Sequence, residues 1–124
     1  MLLPIRIRWR DIDALGHVNN AVYLTYLEEL LTSLLQPVLA DDWVSARVEL
    51  DFRNEVRLSD VEVTARASIE RIGTSSVTTA VVLELPDGTV ALEGGAVVVA
   101  WDPQTRRSRP LTEAERQALA ELES

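Results

Sequence analysis

Cysteine is absent from this chain, and so is lysine. Without cysteine there are no disulfides, no thiolate nucleophile and no sulfur-ligated zinc. Without lysine there is no Schiff-base chemistry. A single histidine, His17, excludes a multi-histidine metal site within one chain. No G-x-S-x-G string occurs, so no serine triad of that type is visible. Neither a metal nor a cofactor is expected. No apolar run approaches the roughly 20 residues of a membrane span. Leu2-Leu3 is followed at once by Pro4 and by Arg6, Arg8 and Arg10. With no signal peptide in view, a cytoplasmic protein without a membrane partner is expected. Positive charge is scarce: twelve arginines face 20 carboxylates, for a net charge of −8. That balance argues against nucleic acid, whose binding rests on phosphate neutralisation. It still allows a small phosphorylated ligand at a mouth carrying a few arginines.

What is present fits one globular domain over residues 1–124, with 47% hydrophobic and 26% charged residues arguing against disorder. The chain is organised around the stretch 8–35. It reads as a strand end, a polar loop and a long apolar helix. The loop holds Asp11, Asp13, Gly16, His17, Asn19 and Asn20. Asn19 or Asn20 is a good N-cap. Tyr23, Tyr26, Leu27, Leu30, Leu31, Leu34 and Leu35 then recur at helical spacing, and Pro37 is expected to close a helix of about 20–36. Carboxylates ahead of a buried helix N-terminus form a candidate reaction site. The helix end offers free N–H groups for an oxyanion, beside a carboxylate that attacks or activates water.

Strands are expected around this helix. Leu3–Arg10 alternates, with Trp9 on the apolar side. The stretch 43–53 places Val44, Ala46, Val48, Leu50 and Phe52 on one face. Further strands are expected over 61–72, 75–85 and 89–101, the last interrupted by a bulge or close approach at Gly94-Gly95. Consecutive hairpins would join them. Thr112 and Glu115 stand at capping-box spacing, so a short helix of about 112–122 ends the chain. The expected architecture is α+β, an antiparallel five-stranded sheet wrapped around one long central helix.

The string Asp11-Ile12-Asp13-Ala14-Leu15-Gly16-His17-Val18-Asn19-Asn20, with Tyr23, Tyr26 and Glu28 after it, resembles the signature of hotdog-fold acyl-CoA thioesterases. The likeness is to the branch containing 4-hydroxybenzoyl-CoA thioesterase. Glu70-Arg71-Ile72-Gly73 with Ser75, and Val99-Ala100-Trp101-Asp102, resemble that branch too. One departure is Leu30-Leu31-Thr32, where many relatives carry an arginine after the glutamate pair. The resemblance implies a hotdog fold and hydrolysis of an acyl-CoA thioester. It places the catalytic carboxylate on Asp13 and the oxyanion donor on the backbone N–H at or beside Asn20. It places CoA contacts on the turn 71–76, with Arg71 and Ser75 foremost. His17 is read as a general base or a substrate-lining residue. Gly16, Asn19 and Tyr23 are further substrate-binding candidates. Arg106, Arg107 and Arg109 are weaker phosphate candidates. Asp11 is read as ordering the loop, and Glu28 as a supporting or interface residue.

The resemblance also implies a homodimer or homotetramer, with two sheets joined edge to edge and the active site at the dimer interface. Two alternatives remain open: an acyl-carrier-protein thioesterase, and a non-catalytic acyl-thioester binding module. A hotdog dehydratase ranks lower, because His17 precedes the helix.

Overall fold

The computed structural model describes residues 1–123. Its axis is α1, Val22–Leu39, about 27 Å long at 1.5 Å per residue. One stripe of α1 is fully apolar. Tyr23, Tyr26, Leu27, Leu30, Leu31, Leu34, Leu35 and Leu39 are all buried. A helix this apolar needs a large surface to cover it. That surface is the inner face of a curled antiparallel sheet. Its strands are β1 (Leu2–Arg6), β2 (Trp43–Phe52), β3 (Glu62–Ile72), β4 (Ser76–Glu84) and β5 (Val90–Asp102). Alternate residues point inward: Val63, Ala65, Ala67 and Ile69 on β3, and Val77, Thr79, Val81 and Leu83 on β4. The expected α+β plan of a five-stranded sheet around a central helix is thus present. A two-residue strand, β6 (Arg107–Ser108), adds to the end of β5. The last element, α2 (Glu113–Glu123), begins at the expected capping box. Thr112 N donates to Glu115 Oε1 at 2.8 Å, and Glu115 N to Thr112 Oγ1 at 3.1 Å.

The strand order is β1-β3-β4-β5-β2, which corrects the expectation of consecutive hairpins. β2 pairs with β5, and β3 lies across the sheet between β1 and β4. The residues between β2 and β3 form a crossover instead of a tight turn. Val56 within it is fully buried, and its carbonyl accepts from Val18 N at 2.8 Å. The crossover thereby holds the loop ahead of α1. The ten-residue β2 is left as an open edge.

Three local expectations also change, and a fourth, at Gly94-Gly95, resolves to one of its two alternatives. The first strand ends at Arg6, because Arg8–Asp11 turns into a short 3-10 coil with Arg8 N donating to Asp11 Oδ2. Trp9 is thereby turned out and is 81% exposed. Pro37 lies inside α1, which runs on to Leu39. A proline this near the C-terminus forfeits only one helical hydrogen bond, and the buried Leu39 holds the last turn in place. On β2 the pairing slips between Ser45 and Arg47. One extra residue reverses which side faces in, so Trp43 packs on the core and Val44 faces solvent. Gly94-Gly95 is a close approach with no register shift. A Cβ on Gly95 would stand 2.5 Å from the Thr79 carbonyl, and one on Gly94 would collide with the Glu49 carbonyl.

Candidate active site

The loop between the first 3-10 turn and α1 is a small closed structure. Ile12 bridges Val18, Asp13 N donates to the His17 carbonyl at 3.0 Å, and Gly16 N to the Asp13 carbonyl at 3.1 Å. Gly16 takes a positive φ of 84°, which only glycine adopts at no steric cost. The tip is exposed and apolar at Leu15.

Asp11 is the buried anchor of this loop. It is 6% exposed, the one buried charged side chain among the described residues. A buried carboxylate needs charge-compensating donors. Asp11 receives the Tyr26 hydroxyl at 2.6 Å and the Arg8 N–H at 3.0 Å, and its own carbonyl accepts from Asn19 N at 3.0 Å. Burial and donation to Asp11 push the Tyr26 hydroxyl well above its ordinary pKa, so it stays a donor. Outside this anchor, Arg8 pairs with Glu29 at 2.7 Å.

Asp13 is held more loosely. Oδ1 accepts from Leu15 N at 2.9 Å and Oδ2 from Asn19 Nδ2 at 3.3 Å, and the side chain remains 23% exposed. Asn19 also caps the approach to α1, with Oδ1 accepting from Ala21 N at 2.9 Å. The residue at the N-cap itself is Ala21, with no side-chain cap, so Asn19 does the capping from just ahead of it. Asn20 is exposed, and the hydrogen bonds among the described residues include none donated by its N–H. An N–H at a helix start with no acceptor is the property an oxyanion donor requires. His17 Nδ1 lies 3.1 Å from the Val18 carbonyl and 3.9 Å from Asp13 Oδ1. With Nδ1 donating, a neutral ring presents Nε2 as an acceptor.

A cleft of about 260 Å³ opens here, lined by His17, Asn20, Tyr23, Phe52, Arg53 and Glu55, among others. Tyr23 packs against Tyr26 at 6.0 Å and Phe52 at 5.4 Å. Burial raises its hydroxyl pKa, partly offset by the Val56 N–H. Phe52, Arg53 and Glu55 were not singled out from the sequence, where they read as a strand end and a charged turn. The signal was the absence of hairpin chemistry between β2 and β3: no glycine or proline stands between Phe52 and Val61.

Arg71 and Ser75 lie elsewhere. They sit at the far end of β3, ~30 Å along the strand from Glu62. Within one chain they do not meet Asp13. Their turn is tightly strapped: Leu111 N donates to the Thr74 carbonyl, Ala100 N to the Ser75 carbonyl, and Arg116 to the Gly73 carbonyl. Arg109 is committed to Glu115 in a two-pronged pair at 2.8 and 2.9 Å, which holds the Glu115 carboxyl down to about 2. Arg71 and Arg107 stay exposed. Glu28 accepts from Ser45 Oγ on the β2 edge at 3.1 Å. No cluster of three or more His, Cys, Asp or Glu suited to a metal occurs among the described residues. No helix among them is long and apolar enough to cross a membrane.

Comparison with known proteins bears on this geometry. A family model described as thioesterase superfamily matches residues 15–92, more than half of the chain. The chain belongs to the thioesterase superfamily. This thioesterase is 26% identical over 131 residues to the long-chain acyl-CoA thioesterase FadM of Escherichia coli (strain K12), covering 98% of both chains. It is similar in structure to a thioesterase from Thermus thermophilus complexed with coenzyme A and Zn. The TM-score is 0.89 at 33% identity, over 98% of this chain and 92% of that one. A predicted thioesterase from Bacillus stearothermophilus gives a TM-score of 0.86 at 28% identity, over 98% and 94%. The expected hotdog fold and thioester hydrolase class are both borne out.

Proposed function

We propose that this thioesterase, one domain over residues 1–124, hydrolyses an acyl-CoA thioester to a free carboxylate and CoA. The observation that carries the reading is one short loop holding both groups: Asp13, tied to Asn19 Nδ2 at 3.3 Å, and the N–H of the next residue, Asn20, for which the described residues supply no acceptor. The thioester carbonyl carbon would sit between them. Asp13 supplies the carboxylate that attacks it or deprotonates the attacking water. Either way the carbonyl oxygen becomes an oxyanion, held by the Asn20 N–H and the helix dipole. The C–S bond then breaks, and CoA leaves as a thiolate that takes up a proton. If water attacked, the free carboxylate is formed in that step; if Asp13 attacked, water then hydrolyses the Asp13 acyl anhydride to the carboxylate and restores Asp13. His17 lines the cleft with Asn20 and stands 3.9 Å from Asp13, so its ring is placed to exchange a proton at the same centre. A thioester is a reactive acyl donor, so a carboxylate and one donor suffice without a triad.

Assembly follows from the open β2 edge. Unpaired edges of this length invite pairing. Two β2 strands pairing antiparallel would lay the Trp43 end of one beside the Phe52 end of the other. That brings the Arg71 turn of one protomer toward the Asp13 cleft of its partner, where Arg71 and Ser75 would meet the CoA phosphates. The unit is a homodimer, or a homotetramer built from it. CoA enters as substrate, and the complex of the Thermus thermophilus relative with coenzyme A supports that class.

The test is thiol release from an acyl-CoA panel, with light scattering on the same sample. Turnover of at least one acyl-CoA by a dimer or tetramer is expected. A folded protein inert on every CoA ester but active on acyl carrier protein would move the reading to the carrier-protein alternative. A stable monomer of full activity would contradict the shared site.

A further inference from the structure

Resting on the acyl-CoA reading, we propose that Tyr23 is the wall that ends the acyl subsite, so that this thioesterase takes short acyl groups, up to about the size of one ring, and discriminates against long chains. Tyr23 lines two cavities at once. One is the cleft with His17 and Asn20. The other lies beneath it, between helix and sheet, enclosed by Leu27, Leu30, Val81, Leu83 and Leu92. The inner cavity is the apolar continuation of the cleft, and the direction in which a fatty tail would be drawn. It is nearly filled. Its free volume is about 10 Å³, at the lower limit for a single water.

Tyr23 closes the way in and is well held there. It is 3% exposed and packed by Tyr26 and Phe52. The other way out of the cleft passes Arg53, Asn54 and Glu55, all exposed. A long apolar tail laid there would strip water from charged groups against a single half-exposed apolar ring, Phe52. The cleft itself suits a smaller group. A cavity of about 150 Å³ takes a benzene ring, and the cleft measures about 260 Å³, with the thioester to be housed as well. A tail therefore meets a wall inward and charge outward.

The experiment is thiol release from acetyl-, butanoyl-, hexanoyl-, benzoyl-, decanoyl- and palmitoyl-CoA, with wild type, Tyr23→Leu and Leu83→Ala compared. Wild-type kcat/KM should peak among butanoyl, hexanoyl and benzoyl. It should fall at least about tenfold at decanoyl and palmitoyl, the scale set by a methylene that does not fit. Tyr23→Leu should raise the palmitoyl-to-hexanoyl ratio by about tenfold. Leu83→Ala, which makes room beneath the ring from the strand side, should raise it in the same direction. If one variant fails to fold, the other and the wild-type profile still decide. A wild type fastest on palmitoyl-CoA overturns the inference and leaves the acyl-CoA reading standing. So does a ratio unchanged in a folded variant. No turnover at any length overturns both.

Discussion

The two ends of the sheet are built differently. At the far end, the turn after β3 is strapped by the C-terminal segment, and its carbonyls at Gly73, Thr74 and Ser75 all accept hydrogen bonds. Arg109 and Glu115 satisfy each other twice, the capping box closes reciprocally, and Arg116 takes the Gly73 carbonyl. At the near end, the loop ahead of α1 is anchored as firmly through Asp11 and Tyr26 but left unfinished above that anchor. Asp13 keeps part of its carboxylate exposed, and the Asn20 N–H has no acceptor among the described residues. Saturated polar groups stabilise and do nothing else. Unsatisfied ones beside a cleft are held ready for a ligand. The contrast assigns the strapped backbone of one end to stability, with Arg71 exposed on it for the proposed CoA contact, and the bond-breaking chemistry to the other.

Substitutions that break this contrast should separate activity from stability. Asp13→Asn should have the largest effect on rate, lowering kcat by about a hundredfold or more, the scale of a lost catalytic group. Its Tm should change little, because an amide oxygen still accepts from Leu15 N; steady-state kinetics and thermal unfolding check this. Tyr26→Phe attacks the anchor beneath. It leaves the buried Asp11 short of a donor and should cost about 1–3 kcal/mol in denaturant unfolding. Loosening the loop should also lower kcat several-fold with KM nearly unchanged.

Glu115→Gln probes the saturated end. The Glu115 carboxyl is held down to about 2, against an ordinary 4.5. A depressed carboxylate contributes stability that is complete above the ordinary value and lost as pH falls toward the depressed one. The variant should therefore be less stable than wild type by about 1–2 kcal/mol at neutral pH. That gap should close between roughly pH 5 and 2, as unfolding curves over pH would record. Gly16→Ala should have the smallest effect. Its positive φ resists a Cβ, at a cost of about 1 kcal/mol, and no neighbour stands within 4 Å to add a clash.

Much of this was legible in the sequence where interactions are local. The helical spacing from Tyr23 to Leu35 dictated α1, and the Thr112–Glu115 spacing dictated the start of α2. Asp11 was readable as a loop organiser. Its partner Tyr26 was less so, although a tyrosine in a leucine stripe needs a buried acceptor for its hydroxyl. What escaped was long-range. Alternation tells a strand which face is apolar, but not which strand lies beside it. Thus β2 was placed next to β3 when it belongs beside β5. One extra residue at Ser45/Arg47 then sent Val44 outward. The cleft wall shared those faults. Phe52 and Arg53 come to line one cleft with Tyr23 and His17 only because the β2–β3 connection crosses over; the missing glycine and proline between Phe52 and Val61 hint that it is no hairpin, but do not say where it goes.

The most direct test sets Asp13→Asn beside Glu115→Gln and reads both kcat on an acyl-CoA and Tm for each. A crossed pattern is expected: Asp13→Asn loses activity and keeps its Tm, whereas Glu115→Gln loses Tm and keeps its activity. Full activity in a folded Asp13→Asn would contradict the account and move the carboxylate's role to Glu55, which lines the cleft with Asn20.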